Sequence, residues 1–361
     1  MTSKGFVCSA VFLMGLSSAY AQGDVTSDVT LYGRIAGGVR YVNNIPTSDG
    51  RTDSKFGYSS NDFGFSWWGI TGHEDLGDGL KAVFKLESAF SSGTGALADP
   101  SALFVRDSYV GLEHPTAGSI WFGRAMSLAD ETGWYIDPRA EQLTGVGNFA
   151  KGRAWGPRIN TITYNSPRWQ GFSFRLQAAP GEQPGNSSGS RLLSASAAYD
   201  LEDFKAYGVY EELRDPAGKL SSLYAFSRVY MVGANYTLGT VKLFAGYQRL
   251  ATDENDTVAD ALNPTAATRN DQAWIGATYA VTPLLILDAG WYHARVNHDG
   301  GSANLGAIGA TYFLSKRTFL YATFGSVNNR GNAAFPVITY DVAPLPGHSQ
   351  QGTYLGMMHY F

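Results

Sequence analysis

Hydrophobic and polar positions alternate with a period of two along much of the chain. In the first such stretch Leu31, Ile35, Val39 and Tyr41 share one parity with Gly33 and Gly37, and Arg34 and Arg40 share the other. Leu80, Ala82, Phe84 and Leu86 alternate with Lys81, Lys85 and Glu87. Phe172, Phe174 and Leu176 alternate with Ser173, Arg175 and Gln177, and Leu193, Ala195, Ala197 and Tyr199 with Ser194, Ser196 and Asp200. Leu285, Leu287, Ala289 and Trp291 oppose Asp288 and Tyr292. Period two predicts β-strands with two unlike faces. Around Asp107 and along 303–313 neither parity wins.

The connections between these stretches alternate as well. Short ones fall at 74–79, 114–118, 167–171, 201–203, 238–240, 281–283 and 314–317. Longer polar ones fall at 44–61, 92–102, 126–157, 181–190, 214–225, 251–270, 297–302 and 330–350. Seven short and eight long connections join sixteen strands. An up-and-down barrel puts every second connection on the same side, and outer-membrane barrels keep short turns on one side and long loops on the other. A soluble sandwich or propeller has no cause to alternate so regularly. The expectation is therefore one all-β domain, a sixteen-stranded antiparallel transmembrane β-barrel with no linker and no second core.

Composition sharpens this picture. The 361 residues include 43 Gly, 21 Tyr and 20 Phe, and only 16% are charged. That mix disfavours disorder and helical bundles and suits strands and turns. Residues 1–21 read as a cleaved signal peptide: Lys4 supplies the basic start, 5–16 the apolar stretch, and Ala19-Tyr20-Ala21 the small-residue cleavage site. The mature barrel domain then spans 22–361. Cys8, the single cysteine, falls in the removed segment, so no disulfide or thiol chemistry is expected. Beyond residue 21 no apolar run reaches the roughly 18 residues of a membrane helix, whereas a barrel strand needs only about 9–11. The formal net charge of −4 argues against a nucleic-acid partner. Trp121, Phe122, Trp169, Trp274, Trp291, Tyr360 and Phe361 fall near expected strand ends, where interfacial girdles place aromatics.

Several segments carry a resemblance. Residues 29–34 (Val-Thr-Leu-Tyr-Gly-Arg), 72–87, 106–112 (Arg-Asp-Ser-Tyr-Val-Gly-Leu), 118–124 (Gly-Ser-Ile-Trp-Phe-Gly-Arg), 158–167 and 314–318, in this order and spacing, resemble the general diffusion porins of Gram-negative outer membranes in their betaproteobacterial form. The resemblance covers essentially the whole mature chain. It implies a homotrimer of sixteen-stranded barrels in outer-membrane lipid and lipopolysaccharide, each with a water-filled pore narrowed by an inward-folded third long loop, here 126–157. Acids on that loop, Asp130, Glu131, Asp137 and Glu141, would face a basic wall. The positions matching the family's basic ladder are Arg34, Arg106 and Arg158, with Arg40, Lys81, Lys85 and Arg124 as further wall candidates. Phe361 resembles the terminal signal read by the barrel-assembly machinery. Where the family usually has a basic residue, this chain has Trp67 and Thr71, which argues against strong anion selectivity. The implied function is passive diffusion of small hydrophilic solutes and ions, weakly anion-selective or non-selective. A substrate-specific porin for sugars or organic acids is the alternative.

The remaining motifs lack their context. Residues 185–189 match G-x-S-x-G but lie in a Gly/Ser/Pro loop rather than a strand-to-helix elbow. Residues 145–150 match G-x-G-x-x-A without a surrounding βαβ unit. His73-Glu74 sits at a short turn, and the acidic segment 253–256 lacks the Gly of a calcium loop. No enzyme activity, metal or cofactor is expected.

Overall fold

The alternating strands close on themselves. A computed structural model describes residues 27–140, 142–153, 156–181 and 183–361. The expected signal peptide, 1–21, lies outside the described residues, as does Glu141. The strands are β1 (Ser27–Pro46), β2 (Thr52–Ser59), β3 (Ser66–Gly77), β4 (Leu80–Phe90), β5 (Ser108–His114), β6 (Gly118–Met126), β7 (Pro157–Asn165), β8 (Phe172–Ala179) and β9 (Leu192–Asp200). They continue as β10 (Phe204–Leu213), β11 (Arg228–Leu238), β12 (Val241–Ala251), β13 (Arg269–Thr282), β14 (Leu285–Val296), β15 (Gly301–Phe313), β16 (Thr318–Arg330) and β17 (Gln350–Tyr360). Apart from β2 and β3, each pairs antiparallel with its neighbour in sequence. β2 and β3 both pair with β1, along its second and first halves, so they are two parts of one barrel strand interrupted at 60–65. The barrel thus has sixteen strands.

Closure runs through β1 and β17, in register from Arg34 opposite Tyr360 to Val42 opposite Gly352. The last residue completes the seam: Phe361 N–H donates to Gly33 O at 3.0 Å and Gly33 N–H to Phe361 O at 3.2 Å. A closed sheet has no unpaired edge, which hydrocarbon would not tolerate. Among the described residues no helix is long and apolar enough to cross a membrane.

Short and long connections alternate as the sequence predicts except at 297–302: β14 ends at Val296 and β15 begins at Gly301, so this expected long connection is as short as the one between Phe313 and Thr318. The turn after β3 shows the cause of the tight ones: Asp78 and Gly79 have φ of 51° and 81°, the Asp-Gly pair that a two-residue hairpin requires. Segment 44–61, expected as a polar loop, is mostly strand: β1 runs on to Pro46 and pairs back with β2.

The outward parity forms the lipid band, with Leu31, Val110, Val232, Leu243, Ile275 and Ile308 exposed. The two stretches of unclear parity have a physical explanation. Asp107 precedes β5 and is buried, accepting from Lys85 Nζ at 2.7 Å. In β15 the inward residues Ala303, Leu305 and Ala307 are themselves apolar and buried, so both faces of the strand are hydrophobic. Three expected girdle aromatics also face inward. Tyr360 stands opposite lumen-facing Arg34 in the seam, and its hydroxyl accepts from Arg34 Nη1 at 3.4 Å. Trp274 is buried beside outward Ile275, and Trp121 stacks on Tyr109 at 4.6 Å beside outward Phe122.

Candidate functional site: a constricted lumen

β6 carries a register shift between Gly123 and Ala125, and the loop that follows Met126 folds into the barrel. Ser127 caps its helix α1 (Leu128–Ile136), its Oγ accepting from Ala129 and Asp130 N–H at 3.1 Å. A helix end leaves carbonyls without partners. Here the wall supplies them: Trp274 Nε1 donates to Ile136 O at 2.8 Å and Asn235 Nδ2 to Tyr135 O at 2.7 Å. A Cβ at Gly233 would meet the Ile136 side chain at 2.8 Å, so glycine on the wall makes room for the helix. A short second helix, α2 (Gly147–Ala150), is held by Asn270 Nδ2 and Gln272 Nε2, which both donate to Phe149 O.

Beyond α1 the loop is pinned by Arg139, buried and bonded to Asp288 on β14, Gln142 of the loop and Thr323 Oγ1 on β16. Arg139 Nε also donates to Thr144 O at 2.8 Å. Asp137, expected among the constriction acids, is buried in the same anchor. It accepts from Tyr292 Oη at 2.6 Å and from Val146 N–H at 2.8 Å, which turns it toward the wall and away from the opening.

A second loop enters as well. Residues 331–349, within the long polar connection read from sequence at 330–350, carry buried Phe335, Val337 and Ile338 into the barrel. Phe335 packs edge-on against Phe149 at 5.0 Å, and Thr339 N–H donates to Leu143 O at 2.7 Å. The two loops therefore form one core against the apolar inner face of β15. The signal was present in the apolar run Ala-Ala-Phe-Pro-Val-Ile at 333–338, inside a segment otherwise polar enough to pass as solvated.

At this level lies a cavity of about 160 Å³, lined by Arg34 and Arg106 from the wall side, by Asp130 and Trp134 from α1, and by Tyr340 from the last loop. Trp67 fills the gap between the two arginines: the Arg34 guanidinium lies 5.7 Å and that of Arg106 5.4 Å from its ring centre. Cation–π contact is thus made with a neutral group at a position where the related pattern has a cation. Arg34 Nε also donates to Phe65 O at 2.8 Å. Asp130 is buried; Gly156 N–H donates to its Oδ2 at 2.9 Å, while its Oδ1 makes no hydrogen bond among the described residues. Burial pushes the Asp130 carboxyl up to about 7.

Most wall cations pair with acids on the wall itself. Lys85 Nζ contacts Glu87 at 2.9 Å and Asp107 at 2.7 Å, and Arg106 Nε contacts Glu87 at 3.0 Å. Arg158 meets buried Glu211 at 2.8 Å, a carboxylate shared with Arg153 at 2.6 Å. Arg40 reaches Asp62 at 3.2 Å and Asp341 of the last loop at 3.5 Å. Arg124 donates to Val105 O at 2.8 Å, and Lys81 stands exposed in register with Asp75 and Glu113 near the turn end. Glu131 lies on the far side of α1, paired with Arg175. Glu87, Asp107, Glu211 and Arg153 belong to this charge network; apart from Lys85, two residues from Glu87, their ion-pair partners lie 19 to 58 residues away, beyond the reach of local pattern.

A closed, lipid-banded barrel narrowed from within defines a transmembrane β-barrel channel. The chain belongs to the Gram-negative porin family, whose model matches residues 9–332. It is 29% identical over 371 aligned residues to an outer membrane porin protein of Bordetella pertussis, covering 90% of this chain and 94% of that one. Its fold resembles an anion-selective porin from Comamonas acidovorans with a TM-score of 0.78 at 23% identity, covering 93% of this chain and all of the other. An outer membrane protein of Vibrio cholerae in its trimer form gives a TM-score of 0.65 at 16% identity, covering 93% and 99%. The protein is an outer-membrane channel for passive diffusion and not an enzyme.

Proposed function

We propose that this porin passes small hydrophilic solutes and ions with a weak anion preference or none, and that it acts as a homotrimer. The observation that carries the selectivity reading is the indole of Trp67 wedged between Arg34 and Arg106, opposite Asp130. Two guanidiniums there favour anions, while low-dielectric walls focus their field. Three features weaken that field: the missing third cation, the wall carboxylates beside Arg106 and Arg158, and the opposing acid of α1. Of the basic residues, Arg34, Arg106 and Arg158 act on passing ions most directly, with Arg40, Lys85 and Arg124 behind them and Lys81 nearer the exit. Asp130 is the loop acid that tunes the opening.

The trimer reading is supported by the fold neighbour from Vibrio cholerae that is described in a trimer form. Phe361, seated at the barrel seam, is the residue we assign to recognition by the assembly machinery. Reversal potentials across a salt gradient in planar bilayers test the selectivity. A modest shift toward the anion potential, or none, is expected; a clear cation preference contradicts it.

A further inference from the structure

On the other side of α1 the lumen widens into a cavity of about 420 Å³. Its position is set by the short turns. Lys205 and Lys242 each stand at the second residue of a strand that follows one, β10 and β12, and Arg168 lies in the connection before β8. Outward Phe204 and Leu243 beside the two lysines fix both lysines as lumen-facing. Four cations line the cavity, Arg168, Arg175, Lys205 and Lys242, against two carboxylates, Glu131 and Asp200.

This balance differs from that at the constriction. There Lys85 and Arg106 share the two acids Glu87 and Asp107. In the cavity, Arg168 and Lys205 both rest on Asp200, at 2.8 and 2.7 Å, and Arg175 takes Glu131. Lys242 makes no ion pair among the described residues; its Nζ lies 5.1 Å from the Phe244 ring centre. Like charges gathered in a concave, low-dielectric site raise the local anion concentration. Tyr135 and Tyr207, stacked at 4.9 Å and 9°, add a flat wall suited to a carbon skeleton. The volume lies toward the lower end of the roughly 300–1,000 Å³ usual for ligand sites.

We propose that this cavity is a weak subsite for small polyvalent oxyanions, carboxylate or phosphate, which dwell there on the turn side of the constriction. It rests on the diffusion-channel reading above and adds a solute class to it. Occupancy is brief, because a solute that bound tightly would stop the flux.

The test uses the full chain in planar bilayers carrying chloride current, with citrate or inorganic phosphate added to one face at a time. Concentration-dependent block is expected, at a lower half-blocking concentration from the turn side than from the loop side. Lys242→Gln and Lys205→Gln should each raise that concentration about tenfold, the loss of roughly one charge-assisted contact. Lys242→Arg should retain the block, which separates loss of charge from misfolding. Block by citrate alone, by phosphate alone or by both supports the proposal and assigns the oxyanion class. An ohmic chloride current that neither anion reduces, or block unchanged in both Gln variants, overturns the proposal alone. A correctly inserted protein that passes no chloride current overturns the channel reading and the subsite with it.

Discussion

Between Arg34 and Arg106 the chain places an indole, and the selectivity proposed for the opening turns on that one side chain. Trp67 screens the two guanidiniums from each other while adding no charge of its own. Trp67→Arg should therefore bring a third cation into the space and raise the anion-to-cation permeability ratio several-fold, as measured by reversal potential. Asp130 supplies the counterweight, and its protonation gives the pH dependence. Its carboxyl, raised to about 7 by burial, is mostly ionised at pH 8 and mostly neutral at pH 6. Acidification across that window should shift selectivity toward anions, and Asp130→Asn should hold the acidic value at both pH values. The same raised pKa favours the folded state in acid. That contribution is full below the ordinary carboxylate range near 3.9 and is lost as pH rises through 7. Thermal unfolding of Asp130→Asn in detergent should accordingly depend less on pH between 5 and 8. At this scale the sequence was legible only in part. Parity put Arg34, Arg40, Lys81 and Lys85 on the polar face, but it could not tell Asp130, which lines the opening, from Asp137, which is bonded to Tyr292 behind it. A helix one residue longer or shorter would exchange such roles, and no local pattern records the register of an inward-folded loop.

The two inward loops behave as one element. The third long loop is fixed through Arg139, whose guanidinium joins Asp288 on β14 to Thr323 on β16 and is fully buried. Removing one partner of a buried ion pair leaves an uncompensated charge, at a cost of about 3–5 kcal/mol. Arg139→Ala should lower the thermal midpoint and loosen α1, seen as increased open-channel noise and earlier voltage-induced closure. The last long loop packs onto the third through Phe335, Val337 and Thr339, so shortening it between 333 and 342 should raise unitary conductance by opening a second path beside Tyr340. Unchanged conductance would mean that this loop occupies space solutes never use. The strands themselves were readable because lipid demands apolar side chains at every second position and lumen water does not. The inner face of β15 escaped that rule because loop side chains cover it in place of water.

As a whole the molecule is a closed sheet with an asymmetric interior. Low overall charge is the average of an apolar outer face and a lumen in which cations and carboxylates nearly cancel. Net charge therefore says little about selectivity, which in our proposal depends on a few side chains around α1 and on the cationic cavity beneath it. The alternation of short and long connections carried the architecture, since an outer-membrane up-and-down barrel keeps short turns on one side and long loops on the other. Seam closure between Gly33 and Phe361 also makes a global prediction. Deleting Phe361 removes its two backbone bonds to Gly33 and the ring that packs against that residue, and should reduce the yield of folded, heat-modifiable protein in the outer membrane. The central claim, a water-filled channel whose opening is nearly charge-balanced, is tested most directly by the zero-current potential of the open channel in a tenfold potassium chloride gradient. The account predicts ohmic current steps with a reversal potential near zero or modestly toward that of chloride. A reversal potential close to that of potassium would contradict it.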